Sequence, residues 1–415
     1  VLFDVILAFS FYARRRRYWY LLKFSLISSA ATGWFVSKTL DLKEIVLIGG
    51  GHAHVLLIKK WGMKPLSGVR VKLISPQVKT PYSGMLPGLV AGHYQPDDIY
   101  IDLRLLCQWA GVHFIQDEVK AINQGLKSVS LAVGSELPYD LLSIDIGSTP
   151  DHSTPGVEEF AVPVKPIAEF YQYWQQKSSL MQEEEQAQEI AVVGGGAGAV
   201  EIILAIAHFL ETNTTLAGKN RYKLLYRNDN LLPEYSDAVI EKVTHAFKQF
   251  NIECYPSFPV TKVEKNILHS AGHDKESFDL LFWCTQASAA KWLADSGLNC
   301  NEDGFVRIND YLQLIDDPDV FAAGDIAHMD MNPRPKAGVY AVRQGPYLYE
   351  NLKRRVLGKN LLRYKPQRHF MSLLALGEHR AVGMRYPFPA FSGKWVWHWK
   401  DRIDRSFMAQ FKKLP

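Results

Sequence analysis

The sequence predicts an α/β fold built on two strand–glycine turn–helix units, the second inserted in the first, plus a small C-terminal α+β region. Three observations carry this. The stretch "EIVLIGGGHAHVLLIKK" (44–60) is an apolar strand running through glycines into an apolar helix. A near-copy, "EIAVVGGGAGAVEIILAIA" (189–207), returns with Gly194 standing where Gly49 stands. Later, "DVFAAGDIAHM" (319–329) brings the chain back to a short strand and a Gly-Asp turn.

Between these landmarks the elements follow in order. "VRVKLIS" (69–75) is a second strand, followed by the Pro/Gly-rich loop "SPQVKTPYSGMLPGLVAGHY". "VHFIQDEVKAIN" and "SVSLAVG" are later strands, and "YDLLSIDIGSTP" (139–150) is a buried strand ending in a glycine turn. The polar run "MQEEEQAQ" (181–188) is a solvated linker or a helix end. The second unit continues through "RYKLLYRN" and "SDAVIEKVTHAFKQF" to "FDLLFWCTQAS". From residue 368 the pattern changes to "HFMSLLALGEHRAVG", two strands of a small sheet, and then to the aromatic and basic "KWVWHWKDRIDRSFMAQFKK".

A length of 415 residues suits two or three domains of roughly 100–200 residues each. A hydrophobic share of 47% and a charged share of 22% are those of a globular protein. The net charge of +4 resides in the first forty residues, where Arg14, Arg15, Arg16, Arg17, Lys23 and Lys38 face only Asp4. No basic face for nucleic acid is implied. Cys107, Cys254, Cys284 and Cys300 stand far apart without metal-ligand spacing, and read as buried thiols with no metal site.

The leading segment, 1–41, stays outside the fold argument. Its apolar part, 18–36, is marginal for crossing a bilayer of ~30 Å. A signal-anchor with its arginines in the cytoplasm, an organellar targeting segment, and a spurious or fragmentary extension all remain open.

The chemistry follows from the turns. Gly49 permits a tight turn and Gly51 lets the backbone close on a pyrophosphate, while the helix N-terminus offers unpaired N–H groups. Gly194 and Gly196 repeat the arrangement. One such motif is weak, but two in these contexts indicate two Rossmann-like dinucleotide sites, in a chain that passes electrons between them. The sixth motif position, where a small residue allows close packing, is His54 in the first copy and Ala199 in the second. Either the first helix sits farther out or the imidazole turns toward the cofactor; a packing role is favoured, and His52 shares the ambiguity. The acid expected to grip a ribose is missing from both units. Its places fall on Ser75, which can still hydrogen-bond ribose, and on Tyr226 followed by Arg227, which could accommodate a 2′-phosphate or be an exposed turn residue.

With these motifs in place, the chain resembles the two-dinucleotide flavoproteins of the pyridine nucleotide-disulfide oxidoreductase superfamily. The resemblance implies FAD in the first copy and NAD(P)H in the second, with Asp325 of "AAGD" on the ribityl chain and Gly324 allowing close approach. It divides the chain into an FAD-binding domain (42–163 and 301–365), an NAD(P)H-binding domain (164–300) and a C-terminal region (366–415). Disulfide-reducing members carry a C-x-x-x-x-C pair where this chain has "TPYSGMLPGLV", and no cysteine follows Cys300, which also disfavours the sulfide:quinone reductases. What remains resembles type II NADH dehydrogenases, which pass electrons to a quinone. In that branch Tyr82, Met85, Leu86 and Pro87 would flank the flavin ring, and "KAGVYAVRQGPYLYENL" (336–352) would supply Ala341 and Gln344 near its quinone edge. An ordinary amphipathic helix is the alternative for that segment.

A closer resemblance is to the flavoprotein domain fused ahead of selenide, water dikinase in some bacteria, through "GGGHAHV", "TPYSGMLPGL", "DLLSIDIGSTP" and "WVWHWKDRIDRSFM". No kinase or catalytic Cys/Sec motif accompanies it, so the dikinase activity is not implied. The expected activity is an NAD(P)H dehydrogenase with a quinone as acceptor. The alternatives are a reductase serving selenium metabolism and a low-turnover redox-sensing flavoprotein, the latter suggested by the missing acids and by "CTQA" (284–287) in place of Ala-Thr-Gly. At helical spacing Trp399, Ile403, Phe407 and Phe411 share one face, fit either for a membrane surface or for docking on the flavin domain. The expected location is cytoplasmic, peripheral on a membrane if the first alternative holds, with organellar targeting open.

Overall fold

The computed structural model describes residues 42–415 except 152, 184, 185, 286, 368 and 415. The 1–41 segment, with its anchor and targeting readings, lies outside the described residues.

In chain order the principal strands begin with β1 (Lys43–Ile48), β2 (Val69–Ile74), β3 (His113–Ile115) and β4 (Leu141–Ile144). Then come β5 (Val162–Pro163), β6 (Glu189–Val193), β7 (Arg221–Leu225), β8 (Ile252–Tyr255) and β9 (Leu280–Trp283), and last β10 (Val320–Ala322). They form two five-stranded sheets, ordered β10-β4-β1-β2-β3 and β5-β9-β6-β7-β8. All the pairings are parallel. A parallel sheet is covered on both faces, so its inner strands are unbroken apolar runs; β9, Leu-Leu-Phe-Trp, is buried throughout. The insertion is visible in β10, which returns after the second sheet to pair with β4. The second sheet also takes Val162–Pro163 as its edge, just ahead of the expected start of that domain at 164.

The helices that position the site are α1 (His52–Met63), α2 (Leu86–Val90), α3 (Ile167–Glu183), α4 (Ala197–Asn213), α5 (Gly338–Val356) and α6 (Lys394–Lys412). α1 and α4 each leave the central strand of their sheet through a glycine turn. α5 lies against α1 at Gly345, where a Cβ would come within 3.0 Å of the Ala53 carbonyl oxygen. That close approach sets the depth of the neighbouring Gln344.

The C-terminal sheet has three antiparallel strands, β11 (Ser372–Ala375), β12 (Ala381–Arg385) and β13 (Phe388–Gly393), one more than expected. β13 reads Phe-Pro-Ala-Phe-Ser-Gly and buries no residue fully, so it lacks the apolar run that marks a strand in sequence. α6 corrects a second expectation. Phe407 and Phe411 are buried together with Val396, Trp397 and Met408, whereas Trp399 and Ile403 face outward beside Trp395. A row stepped by four residues rotates about 40° per step on a 3.6-residue helix, so the expected single face spreads over roughly 120°. Among the described residues no helix is long and apolar enough to cross a membrane.

Candidate functional site

The first glycine turn is closed by a residue from the neighbouring strand. Gly49 has φ +91°, and a Cβ there would lie 2.5 Å from the Asp145 carbonyl oxygen. Asp145 follows β4, and its N–H donates to the Ile48 carbonyl. A Cβ on Gly51 would come within 2.3 Å of the Asp145 carboxylate. Both glycines therefore make room for Asp145 as well as for a ligand.

Asp145 is 2% exposed and caps α1 from outside the helix. Gly51 N–H donates to its carbonyl oxygen, and the Ala53 and His54 N–H groups donate to its Oδ2 at 2.8 and 3.0 Å. Burial pushes its carboxyl up to about 7, against the pull of those N–H donors, and nearby Asp325 adds to the rise. Of the four donors that open a helix, only the His52 N–H is left without a partner among the described residues.

His54, the replacement for the motif's last glycine, turns neither outward nor toward a cofactor. Its ring is fully buried between turn and sheet, with Nδ1 2.7 Å from the Gly49 carbonyl oxygen and Nε2 2.8 Å from Ser143 Oγ of β4. Both nitrogens are engaged, so its side chain packs, and burial lowers its pKa to about 4. His52 differs: its Nε2 is shut off from solvent with no partner, and its ring stands edge-on to Tyr82 at 5.3 Å.

Tyr82 leads the loop expected beside the flavin. Its ring stacks on Phe407 of α6 at 4.5 Å, and its hydroxyl is hydrogen-bonded to Asp404. Burial and the neighbouring Asp404 raise the Tyr82 pKa, so the phenol stays protonated. Asp404 pairs with Lys400 at 2.7 Å, and Lys400 Nζ also donates to the Gly84 carbonyl at 2.5 Å. Met85, Leu86 and Pro87 are buried at the start of α2.

The Gly-Asp turn after β10 completes this end of the sheet. Gly324 has φ +72°, and a Cβ there would meet Asp145 Oδ1 at 2.4 Å. Its N–H donates to Gln344 Oε1 at 2.7 Å, and Ala341 lies next to it. Asp325 accepts from Lys165 Nζ at 3.1 Å and from Ser148 Oγ at 3.2 Å. A shallow cleft opens among Gly324, Asp325, Lys336, Tyr340 and Gln344. The unpaired His52 Nε2, the free first N–H of α1 and the Asp325 carboxylate are the groups a flavin dinucleotide would engage. The residues present fit it.

The second turn differs in one respect. Gly194 (φ +147°) is pressed on the Cys284 carbonyl oxygen, 2.2 Å from where a Cβ would be. Ala199 packs 3.1 Å from the same point, which explains a small residue there. A Cβ on Gly196 would meet nothing within 4 Å, and among the described residues no side chain caps α4. This N-terminus is open to a pyrophosphate.

Two expected ribose contacts are placed less favourably. Ser75 is buried and spends its hydroxyl on Gln77, donating to that residue's carbonyl at 2.9 Å. Arg227, just past β7, is exposed. Glu201 escaped the sequence reading, although a lone acid inside the apolar run "AVEIILAIA" was the signal. It accepts the Ala375 N–H at 2.8 Å, tying α4 to β11, and burial pushes its carboxyl up to about 7.

Known proteins align with this architecture. The profile of the pyridine nucleotide-disulphide oxidoreductase family matches residues 43–345. The chain is 25% identical to demethylphylloquinone reductase NdbB of Synechocystis over 356 residues, 82% of this chain and 86% of that protein. It is 34% identical over 107 residues to ferroptosis suppressor protein 1 of Xenopus tropicalis, 25% of this chain and only 28% of that protein. Among solved structures, the sulfide:quinone oxidoreductase of Aquifex aeolicus superposes with a TM-score of 0.74 at 18% identity, covering 89% and 91% of the two chains. NDH2 of Plasmodium falciparum gives 0.73 at 16% identity, covering 90% and 98%. At these identities the structural likeness speaks for the fold.

Proposed function

The chain belongs to the pyridine nucleotide-disulphide oxidoreductase family, and we propose from that premise that it delivers its electrons to a quinone. It is an FAD-dependent NAD(P)H oxidoreductase. FAD, once bound, supplies the acceptor for hydride and the donor for the next substrate. The chain's own residues bind and orient. Gly49, Gly51 and the His52 N–H would receive the flavin dinucleotide, and Asp325, held by Lys165 and Ser148, would hydrogen-bond its hydroxyl groups. Gly194, Gly196 and the open end of α4 receive NAD(P)H. Gln344, anchored on the Gly324 N–H, positions the Gly-Asp turn.

One observation carries the acceptor: Tyr82, from the loop beside the flavin site, stacks on Phe407, whose helix α6 exposes Trp395, Trp399 and Ile403 on its other side. One helix thus connects the flavin loop to an apolar aromatic surface, the arrangement a lipid-dissolved acceptor requires. We propose that this outer row rests on a membrane. The relative named demethylphylloquinone reductase supports the reading.

The test is anaerobic. NADH and NADPH are added separately to the flavin-loaded protein, followed by a short-chain quinone. Bleaching followed by rapid recovery with quinone is expected. A flavin that bleaches but is not reoxidised by quinones would remove the proposed acceptor, and one that neither nucleotide bleaches would point to the sensing alternative.

A further inference from the structure

A buried carboxylate stands where a phosphate group is to dock. Asp145 takes three of the four opening donors of α1, through its carbonyl oxygen and its Oδ2, and its Oδ1 presses against Gly324 of the opposing turn. Those donors are what attracts a pyrophosphate to a helix N-terminus. Among the described residues the second unit has no such occupant: Cys284 holds the same place and its thiol makes no hydrogen bond to the first turn of α4. We propose that Asp145 is the proton-holding residue of the flavin site: it takes up one proton from solvent when the FAD pyrophosphate docks on α1. This rests on the reading of the first unit as the FAD site.

A pyrophosphate brings two negative charges to a helix end that already holds a carboxylate, itself buried from water. Like charges at such distances cannot all persist where the dielectric is low, and the group that can take a proton does so. The groups facing Asp145 are few. Asp325, after β10, is negative and raises its proton affinity. Lys165, which could oppose that effect, is paired with Asp325. On α1, His54 contributes an N–H to the carboxylate and has both ring nitrogens engaged elsewhere.

His52 is the rival proton acceptor, since its Nε2 is unpartnered and a phosphate would raise its proton affinity. Magnitudes decide between them. Burial holds His52 down to about 4 and Asp145 up to about 7. Above neutral pH, Asp145 needs a rise of about one or two units and His52 about four, so the carboxylate protonates first.

The experiment is a titration of the flavin-depleted full chain with FAD. Calorimetry near pH 8.5 in buffers of different ionisation enthalpy counts protons, and flavin fluorescence gives Kd from about pH 7.5 to 9. Uptake approaching one proton per FAD is expected, with Kd weakening about tenfold per pH unit. In D145N both effects should vanish, while H52Q should keep them. An infrared band of a protonated carboxylic acid in the wild-type complex near pH 8.5, missing from D145N, gives a second readout that does not depend on affinity. Tight FAD binding with no proton uptake and a flat pH profile would overturn the proposal alone, and so would uptake that survives in D145N but is lost in H52Q. A chain that binds no FAD at any pH would overturn the reading of the site and the proposal with it.

Discussion

Asp145 and Cys284 occupy the same place in the two glycine-turn units. Each follows the strand beside the central one, and each has its N–H on that strand's last residue, Ile48 or Val193. The carbonyl oxygen of each closes on the first glycine, Gly49 or Gly194. Only their side chains differ. The carboxylate of Asp145 reaches the helix N–H groups, while the thiol of Cys284 rests 3.3 Å from where a Cβ on Gly198 would lie. Burial holds that thiol up to about 11, so it stays protonated and brings no charge to the nucleotide site.

The Asp145 carboxyl makes the flavin-free protein sensitive to alkali. Its folded-state pKa is raised to about 7 by burial, so the folded chain binds the proton more tightly than the unfolded one. Stability contributed by the neutral acid is full below the ordinary carboxylate range and is lost as pH rises through about 7. Asp145→Asn should therefore stabilise the flavin-free protein near pH 9, by up to about 4 kcal/mol, and change it little near pH 4. Urea unfolding at the two pH values checks this, and a less stable Asn variant at the higher pH would count against it.

His54 contributes in the opposite pH direction. The imidazole is neutral when folded, with a pKa lowered to about 4 by burial, so the unfolded chain takes up a proton that the folded one refuses. Its penalty is absent above about pH 6.5 and grows as pH falls toward 4, reaching about 3 kcal/mol. His54→Ala should remove that slope. At neutral pH it should cost about 2–4 kcal/mol, from the cavity and from the unpaired Ser143 hydroxyl and Gly49 carbonyl. Melting temperatures from pH 4 to 8 would show both effects.

The glycines of the second turn separate folding from binding. Gly194→Ala forces a Cβ onto the Cys284 carbonyl at a positive φ, and should lower stability by several kcal/mol, in the range of severe core changes. Gly196 has φ −92° and open space around a Cβ, so Gly196→Val should melt near the wild type. Its side chain would fill the space a nucleotide pyrophosphate enters. Reduction by NADH and NADPH should fall at least tenfold while FAD remains bound. Unchanged reduction kinetics in this variant would place the nucleotide elsewhere.

The two sheets were legible because strand and turn chemistry are local: an apolar run, glycines at fixed offsets, then an apolar helix. The return strand at 320–322 was legible for the same reason. What decides the character of the flavin site was not. Asp145 lies 92 positions from Ala53, whose N–H it accepts, and nothing in the run "YDLLSIDIGSTP" singles it out as a helix cap. The role of His54 depended on Ser143 lying beneath it, a pairing set by the sheet register. Glu201 showed itself as an acid in an apolar run, but its partner Ala375 comes from the C-terminal sheet. Long-range side-chain caps leave no periodic trace in a sequence.

The two faces of α6 give the last prediction, because they make opposite demands. Phe407 and Phe411 are 8% and 9% exposed and pack on the flavin domain, Phe407 against Tyr82. Replacing either with Ala should cost about 3–5 kcal/mol and disturb the loop that carries Tyr82. Trp395, Trp399 and Ile403 are exposed at 56%, 40% and 38%, and among the described residues the two tryptophans stack only on part-buried Phe391 and on each other. Changing these three to Ser should leave melting within about 1 kcal/mol. If the outer row rests on lipid, the triple variant should lose most binding to vesicles containing anionic lipid, because aromatic insertion and basic residues such as Arg402 act together there. Reduction of a soluble short-chain quinone should persist, and reduction of a long-chain quinone held in vesicles should fall. Equal loss of both would mean that the row serves the flavin site itself, and unchanged vesicle binding would mean that the membrane contact lies elsewhere.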